Sequence, residues 1–258
     1  EGFDNRWIDV YENQGKRSGA YSAGVYGVHP YVLLNYTDTL DDVFTLVHEM
    51  GHALHSYLSN RTQSVTYAGY KIFVAEVAST CNEALLMQHL LSRTTEPKRR
   101  AYLINHFLEQ FRGTLYRQTM FAEFELWCSE QTRKGRPLTA EALNEKYAQL
   151  NALYYGEDIE PDPEIALEWA RIPHFYYNFY VYQYATGFAS AIALSQRILK
   201  EGRPAVEDYL RFLSGGCSAD PVSLLKGAGV DISTPAPIVD ALKLFDTLIG
   251  EIEELMKP

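Results

Sequence analysis

His48, Glu49 and His52 stand in a His-Glu-x-x-His pattern within the stretch Thr39-Leu40-Asp41-Asp42-Val43-Phe44-Thr45-Leu46-Val47-His48-Glu49-Met50-Gly51-His52. On an α-helix, residues four apart lie on one face, a turn from each other, so both imidazoles can point at a single metal ion. Glu49 follows His48 by one residue, about 100° further round the helix. From there a carboxylate can reach a water on the metal without ligating the metal itself. The chemistry such a set could perform is metal-assisted hydrolysis. The competing reading is a buried helix with two satisfied core histidines.

A hydrolytic zinc site usually has three protein ligands and one open position. The third ligand should be a His, Glu or Asp on a neighbouring element. The segment Phe73-Val74-Ala75-Glu76-Val77-Ala78-Ser79-Thr80-Cys81-Asn82-Glu83 supplies candidates. Glu76, Ser79 and Glu83 share one helical face. Both carboxylates interrupt an apolar run, where a charge is costly unless it is paired or metal-bound. This points to Glu76 as the third ligand and to Glu83 as the acceptor for a ligand imidazole N–H. The alternative puts one or both on a solvated face. His55 lies off the His48–His52 line and reads either as a support behind the ligands or as packing; His29, His89 and His106 have no partner spacing.

A second unusual stretch is Arg171-Ile172-Pro173-His174-Phe175-Tyr176-Tyr177-Asn178-Phe179-Tyr180-Val181-Tyr182-Gln183-Tyr184-Ala185-Thr186-Gly187-Phe188. If it is helical from Tyr177, then Tyr177, Tyr180 or Val181, and Tyr184 share a face, with His174 at the N-terminal end. Phenols and an imidazole are neutral donors suited to a substrate carbonyl that gains negative charge. An aromatic core helix is the plainer reading, and spacing alone leaves both open.

These residues need elements to hold them. Thr39-x-x-Asp42 resembles a helix cap, and Leu40, Val43, Phe44, Val47, Met50 and Leu54 recur at helical spacing, which predicts a helix over 40–58. Further helices are expected over 72–92, 98–134, from Thr139 onward, and over 163–171, 177–201, 204–214, 221–228 and 237–256. Residues 30–36, bounded by Pro and by Asn, Thr and Asp, read as a strand in a small sheet before the first helix. The edge of that sheet could serve as a plain hairpin or pair with an extended peptide. The expected class is therefore mainly α, with a small β-sheet near the N-terminus.

The 258 residues suffice for one large domain or two small ones. Hydrophobic residues at 47% and charged residues at 22% are ordinary for a globular protein. A formal net charge of −10 argues against a nucleic-acid backbone or an anionic membrane as the main partner. No apolar run approaches a membrane span and no signal pattern opens the chain, which predicts a cytoplasmic location. Cys81, Cys128 and Cys217 form no zinc pair or disulfide framework and read as free thiols.

Taken in order, His-Glu-Met-Gly-His-Ala-Leu-His, then Glu-Val-Ala-Ser-Thr-x-x-Glu, then Ile-Pro-His-Phe-Tyr-x-Asn-Phe-Tyr-Val-Tyr-x-Tyr-Ala-Thr-Gly-Phe resemble oligoendopeptidase F. That group belongs to the thimet oligopeptidase-like zinc metallopeptidases. Arg117-Gln118-Thr119-Met120-Phe121-Ala122-Glu123-Phe124-Glu125 is similar to the same group. The resemblance implies a cytosolic zinc endopeptidase of multi-helix zincin type that cleaves short peptides inside a cleft. It implies one Zn²⁺ held by His48, His52 and Glu76, with Glu49 as general base. It further implies that His174 assists the oxyanion, with Tyr184 as the stabilising phenol, Tyr177 as accessory and Tyr180 in reserve. The whole chain, 1–258, then reads as a single catalytic domain. The resemblance also implies a helical N-terminal region, not included in this sequence, as an expected partner from the same protein. Two other readings stand beside this one. The first is a zinc exopeptidase, either an aminopeptidase or a dipeptidyl carboxypeptidase. The second is a non-catalytic peptide-binding fragment.

Overall fold

A computed structural model describes residues 1–257 of the chain. It is mainly helical, with a three-stranded sheet near the N-terminus. The chain packs as two compact units, the first formed by Glu1–Leu108 and the chain from Gly187 on, the second by Glu109–Thr186.

In the first unit, strands β1 (Ile8–Asp9), β2 (Tyr21–Ala23) and β3 (Tyr31–Leu33) form a sheet in the order β1-β3-β2. β3 runs parallel to β1, pairing Val32 with Ile8, and antiparallel to β2, pairing Val32 with Ser22. The expected strand is therefore present but shorter. Buried Val32 and Leu34 pack with Ala53 on helix α1 (Leu40–Thr62), with Leu46 and Met50 beside them. The sheet thus backs the helix that carries the His-Glu-x-x-His pattern.

α1 starts where the cap predicts. Thr39 is extended and its Oγ1 accepts the Asp42 N–H, while Asp42 Oδ2 accepts the Thr39 N–H at 3.0 Å. Two of the orphan donors of the first turn are satisfied in this way. A short 3₁₀ turn, Ile72–Val74, leads into α2 (Ala75–Arg93). Val74, Val77, Ala78 and Cys81 form one core cluster with Ala191 and Leu194 of α6 (Tyr182–Glu201), Tyr209, Phe212 and Leu213 of α7 (Arg203–Leu213), and Leu225 of α8 (Pro221–Gly227). Most of helix α3 (Pro97–Gln110) and all of helix α9 (Ala236–Leu255) also fall in this unit.

The second unit is built on α4 (Arg117–Arg133) and α5 (Ala140–Tyr155). Its core joins Met120, Phe121 and Phe124 to Tyr147, Leu150, Ile172 and Val181. The single helix expected over 98–134 is interrupted by a π-helical segment, Phe111–Tyr116. Residues Pro163–Arg171 and Pro173–Tyr176 are 3₁₀ rather than α-helical. The Glu168 carboxylate ties this stretch to the two helices. It accepts from Arg117 at 2.6 Å, from the Tyr147 hydroxyl at 2.6 Å and from Arg171 at 2.5 Å. Burial pushes the Glu168 carboxyl up, but these three donors outweigh it and hold the group ionised.

Candidate metal centre

The geometry of the first site rests on a glycine. A Cβ at Gly51, midway between Glu49 and Ala53 on α1, would stand 2.5 Å from Ser79 Cα and 2.8 Å from the Ala78 carbonyl oxygen of α2. Only a residue without a side chain lets the two backbones approach so closely. Their contact brings the first turn of α2 alongside the middle of α1, and with it the Glu76 carboxylate.

His48 Nε2 lies 3.3 Å from Glu76 Oε2, and His52 Nε2 lies 3.4 Å from the same oxygen. The three donor atoms fall within 4.8 Å of one another. Two ligands held at about 2.0–2.1 Å by one tetrahedral ion stand roughly 3.3–3.5 Å apart, so the set fits zinc. On its other side, His48 Nδ1 is 3.4 Å from Glu83 Oε2. That leaves Nε2 for the ion and fixes the ring by a carboxylate, the arrangement common behind ligating histidines. Ser79 Oγ donates to Glu76 Oε2 at 3.1 Å and orients the carboxylate from within α2. The sequence expectation for Glu76, Ser79 and Glu83 on one face matches this placement.

The electrostatics describe a site suited to positive charge. Burial alone would push the His48 ring towards neutrality, yet the Glu76 and Glu83 carboxylates raise its pKa to about 10. Glu76 shows the converse. Burial favours its acid form, but the His48 and His52 rings hold it well below the usual carboxylate range. Glu49 is 7% exposed, and burial pushes its carboxyl upwards, with the neighbouring imidazoles opposing. A carboxylate with raised proton affinity is suited to take and return a proton.

The second group of expected residues comes together in the second unit, on a different frame from the one that spacing suggests. Helix α6 begins at Tyr182, not at Tyr177. Between them Asn178 and Phe179 take left-handed φ values of 50° and 59°. Tyr177, Tyr180 and Tyr184 therefore do not share one helix face. The turn folds the rings onto His174 instead. Tyr180 stacks on His174 with centroids 5.6 Å apart, Tyr177 meets the same ring edge-on at 5.6 Å, and Tyr184 does so at 6.2 Å. The Tyr184 hydroxyl donates to the Tyr180 hydroxyl at 3.4 Å. Residues Tyr176, Tyr177 and Phe179 are exposed, so the segment is not an aromatic core helix.

Comparison with known proteins agrees with the motifs. The sequence profile described as peptidase family M3 matches residues 1–244. The chain belongs to this family. It is 55% identical to oligopeptidase PepF of Bacillus subtilis over 256 residues, covering 99% of this chain and 38% of that protein. Over 255 residues it is 48% identical to the chromosomal oligoendopeptidase F of Lactococcus lactis subsp. cremoris, covering 99% of this chain and 42% of that one. The solved oligoendopeptidase-F from Enterococcus faecium matches with a TM-score of 0.76 and 50% identity, over 84% of this chain and 39% of its own. The chain thus spans about two fifths of the length of the M3 relatives it matches. Among the described residues, no helix is long and apolar enough to cross a membrane.

Proposed function

We propose that this chain carries the catalytic centre of a zinc-dependent endopeptidase that hydrolyses internal bonds of short peptides. The observation that carries the proposal is the His48–His52–Glu76 donor set closed around one point, with buried Glu49 on the same helix. His48, His52 and Glu76 would hold the ion; when bound, it would polarise a water and a carbonyl and lower the water's pKa towards neutrality. Glu83 holds His48 by its Nδ1. Glu49 takes the water's proton as it attacks the scissile carbonyl, then passes that proton to the leaving amine. His174 and Tyr184 donate to the developing oxyanion, with Tyr177 as an accessory.

The names of the relatives support peptides as substrates, and the negative net charge disfavours nucleic acid. A cytoplasmic location and the remaining, N-terminal part of a longer protein as partner belong to the same proposal, as does a single catalytic domain over 1–258. The test is metal analysis of the purified protein together with cleavage of an internally quenched peptide blocked at both ends. One zinc per chain and internal cleavage abolished by a chelator are expected. Cleavage confined to peptides with a free terminus would replace endopeptidase with exopeptidase. Bound zinc without hydrolysis, in protein supplied with its N-terminal part, would leave a peptide-binding scaffold.

A further inference from the structure

The turn from Tyr177 to Val181 decides where the rings around His174 lie, and it is an expensive conformation. Two consecutive non-glycine residues, Asn178 and Phe179, sit in the left-handed region. Asn tolerates it; a bulky residue such as Phe does not adopt it without an external constraint. Burial does not supply that constraint, because Tyr177 and Phe179 are both exposed. The constraint comes from α4. The Phe179 N–H donates to Glu125 Oε1 at 2.5 Å.

Glu125 is an odd residue in its place. It is 9% exposed, next in sequence to Phe124, which packs against Phe175 with centroids 5.2 Å apart. Burial pushes its carboxyl upwards and the Phe179 N–H opposes this. Among the described residues no Lys, Arg or His forms an ion pair with it, in contrast to Glu168 of the same unit. A buried carboxylate costs stability unless its contacts repay it. Here the contact is to the backbone of the strained turn.

We propose that Glu125 is a positioning residue. It pins the Phe179 N–H, fixes the left-handed turn and so sets the His174, Tyr177, Tyr180 and Tyr184 rings in their stacked arrangement. This inference rests on the role proposed above for His174 and Tyr184. Glu125 touches neither substrate nor metal; it acts on turnover through the rings.

The test uses the zinc-loaded protein with its N-terminal part and a blocked, internally quenched peptide. Glu125→Leu fills the space without an acceptor and is expected to lower kcat by about 10- to 100-fold with KM little changed, the scale of a slightly misplaced catalytic group. Glu125→Gln keeps an acceptor oxygen and is expected to stay within a few-fold of wild type. Phe179→Gly adopts the left-handed turn without an anchor. Placed on Glu125→Leu, it is expected to restore much of the lost turnover, which repair of a merely damaged core would not do. Tyr184→Phe is the reference, and combined with Glu125→Leu it should cost less than the product of the two single losses. If Tyr184→Phe lowers kcat and Glu125→Leu does not, the positioning role is overturned while the oxyanion reading stands. If Tyr184→Phe and His174→Gln both leave kcat unchanged, the oxyanion reading itself fails and takes the positioning role with it.

Discussion

At the scale of single residues, the candidate metal centre is the part most directly encoded. Four-residue spacing puts His48 and His52 on one face whatever the rest of the fold does, and the seven-residue spacing of Glu76 and Glu83 does the same on α2. What spacing could not supply is the pairing between the two faces, since either carboxylate could have met solvent. The 3.3 Å and 3.4 Å separations from Glu76 to the two rings settle that pairing. Glu49 has a separable role, which predicts a separable phenotype. Glu49→Gln removes the proton acceptor and leaves every donor atom of the metal set in place. Zinc content should stay at the wild-type level while kcat falls by about 10²–10⁴-fold, as for loss of a general base. Turnover within ten-fold of wild type in a zinc-replete sample would exclude Glu49 as the base. Glu76→Ala should show the opposite order, losing metal first and activity as a consequence.

At the scale of elements, the helices were legible where caps and apolar periodicity agree and illegible where a tertiary contact overrides propensity. α1 illustrates the first case: Thr39 and Asp42 close a capping box at the expected position. Thr39→Ala should cost about 1 kcal/mol, read as a lowered midpoint in chemical denaturation. The segment 177–181 illustrates the second. Its composition permits a helix, and nothing local announces that Glu125, more than fifty positions earlier, holds Phe179 in a left-handed turn. Gly51 lies between these cases. Inside a helix a glycine reads as a weak point, yet here it sets the spacing of α1 and α2. Gly51→Ala must push a methyl group into the backbone of Ser79 and Ala78, which cannot rotate away. A loss of about 1–3 kcal/mol is expected, together with weaker zinc binding, because the same separation carries Glu76 away from His48 and His52. Gly250→Ala in α9 is the control. Nothing stands within 4 Å of its added Cβ, so that variant should be neutral or more stable by up to about 1 kcal/mol. Equal losses in the two variants would mean that close approach of the helices is not what Gly51 provides.

At the scale of the whole molecule, the first unit contains a buried group through which pH acts on the fold. His55 is 1% exposed and lies face to face with Tyr70, centroids 3.6 Å apart and planes 4° from parallel, with Phe212 at 5.5 Å. Its Nδ1 is buried without a hydrogen-bond partner. Burial, helped by the nearby His52, lowers its pKa from 6.5 to about 3. Tyr70, whose own pKa burial raises, remains a neutral partner across this range. The sign follows from which state takes the proton. Between pH 6.5 and 3 the unfolded chain binds a proton at His55 and the folded chain does not, so acid favours unfolding. The stability contributed by the neutral ring is fully present above about pH 6.5 and is lost progressively as the pH falls towards 3. Each unit of displacement is worth about 1.4 kcal/mol, so the full effect amounts to a few kcal/mol. His55→Phe keeps an aromatic ring against Tyr70 and Phe212 and removes the titration. Its denaturation midpoint should lie near the wild-type value at pH 7.5 and pull ahead of it steadily from pH 6.5 to 4.5. Taking the difference between the two proteins cancels the carboxylates they share, so the remaining slope belongs to His55. A constant difference across that range would mean that the folded protein protonates His55 as readily as the unfolded chain does. In that case the stack on Tyr70 would have to accommodate an imidazolium.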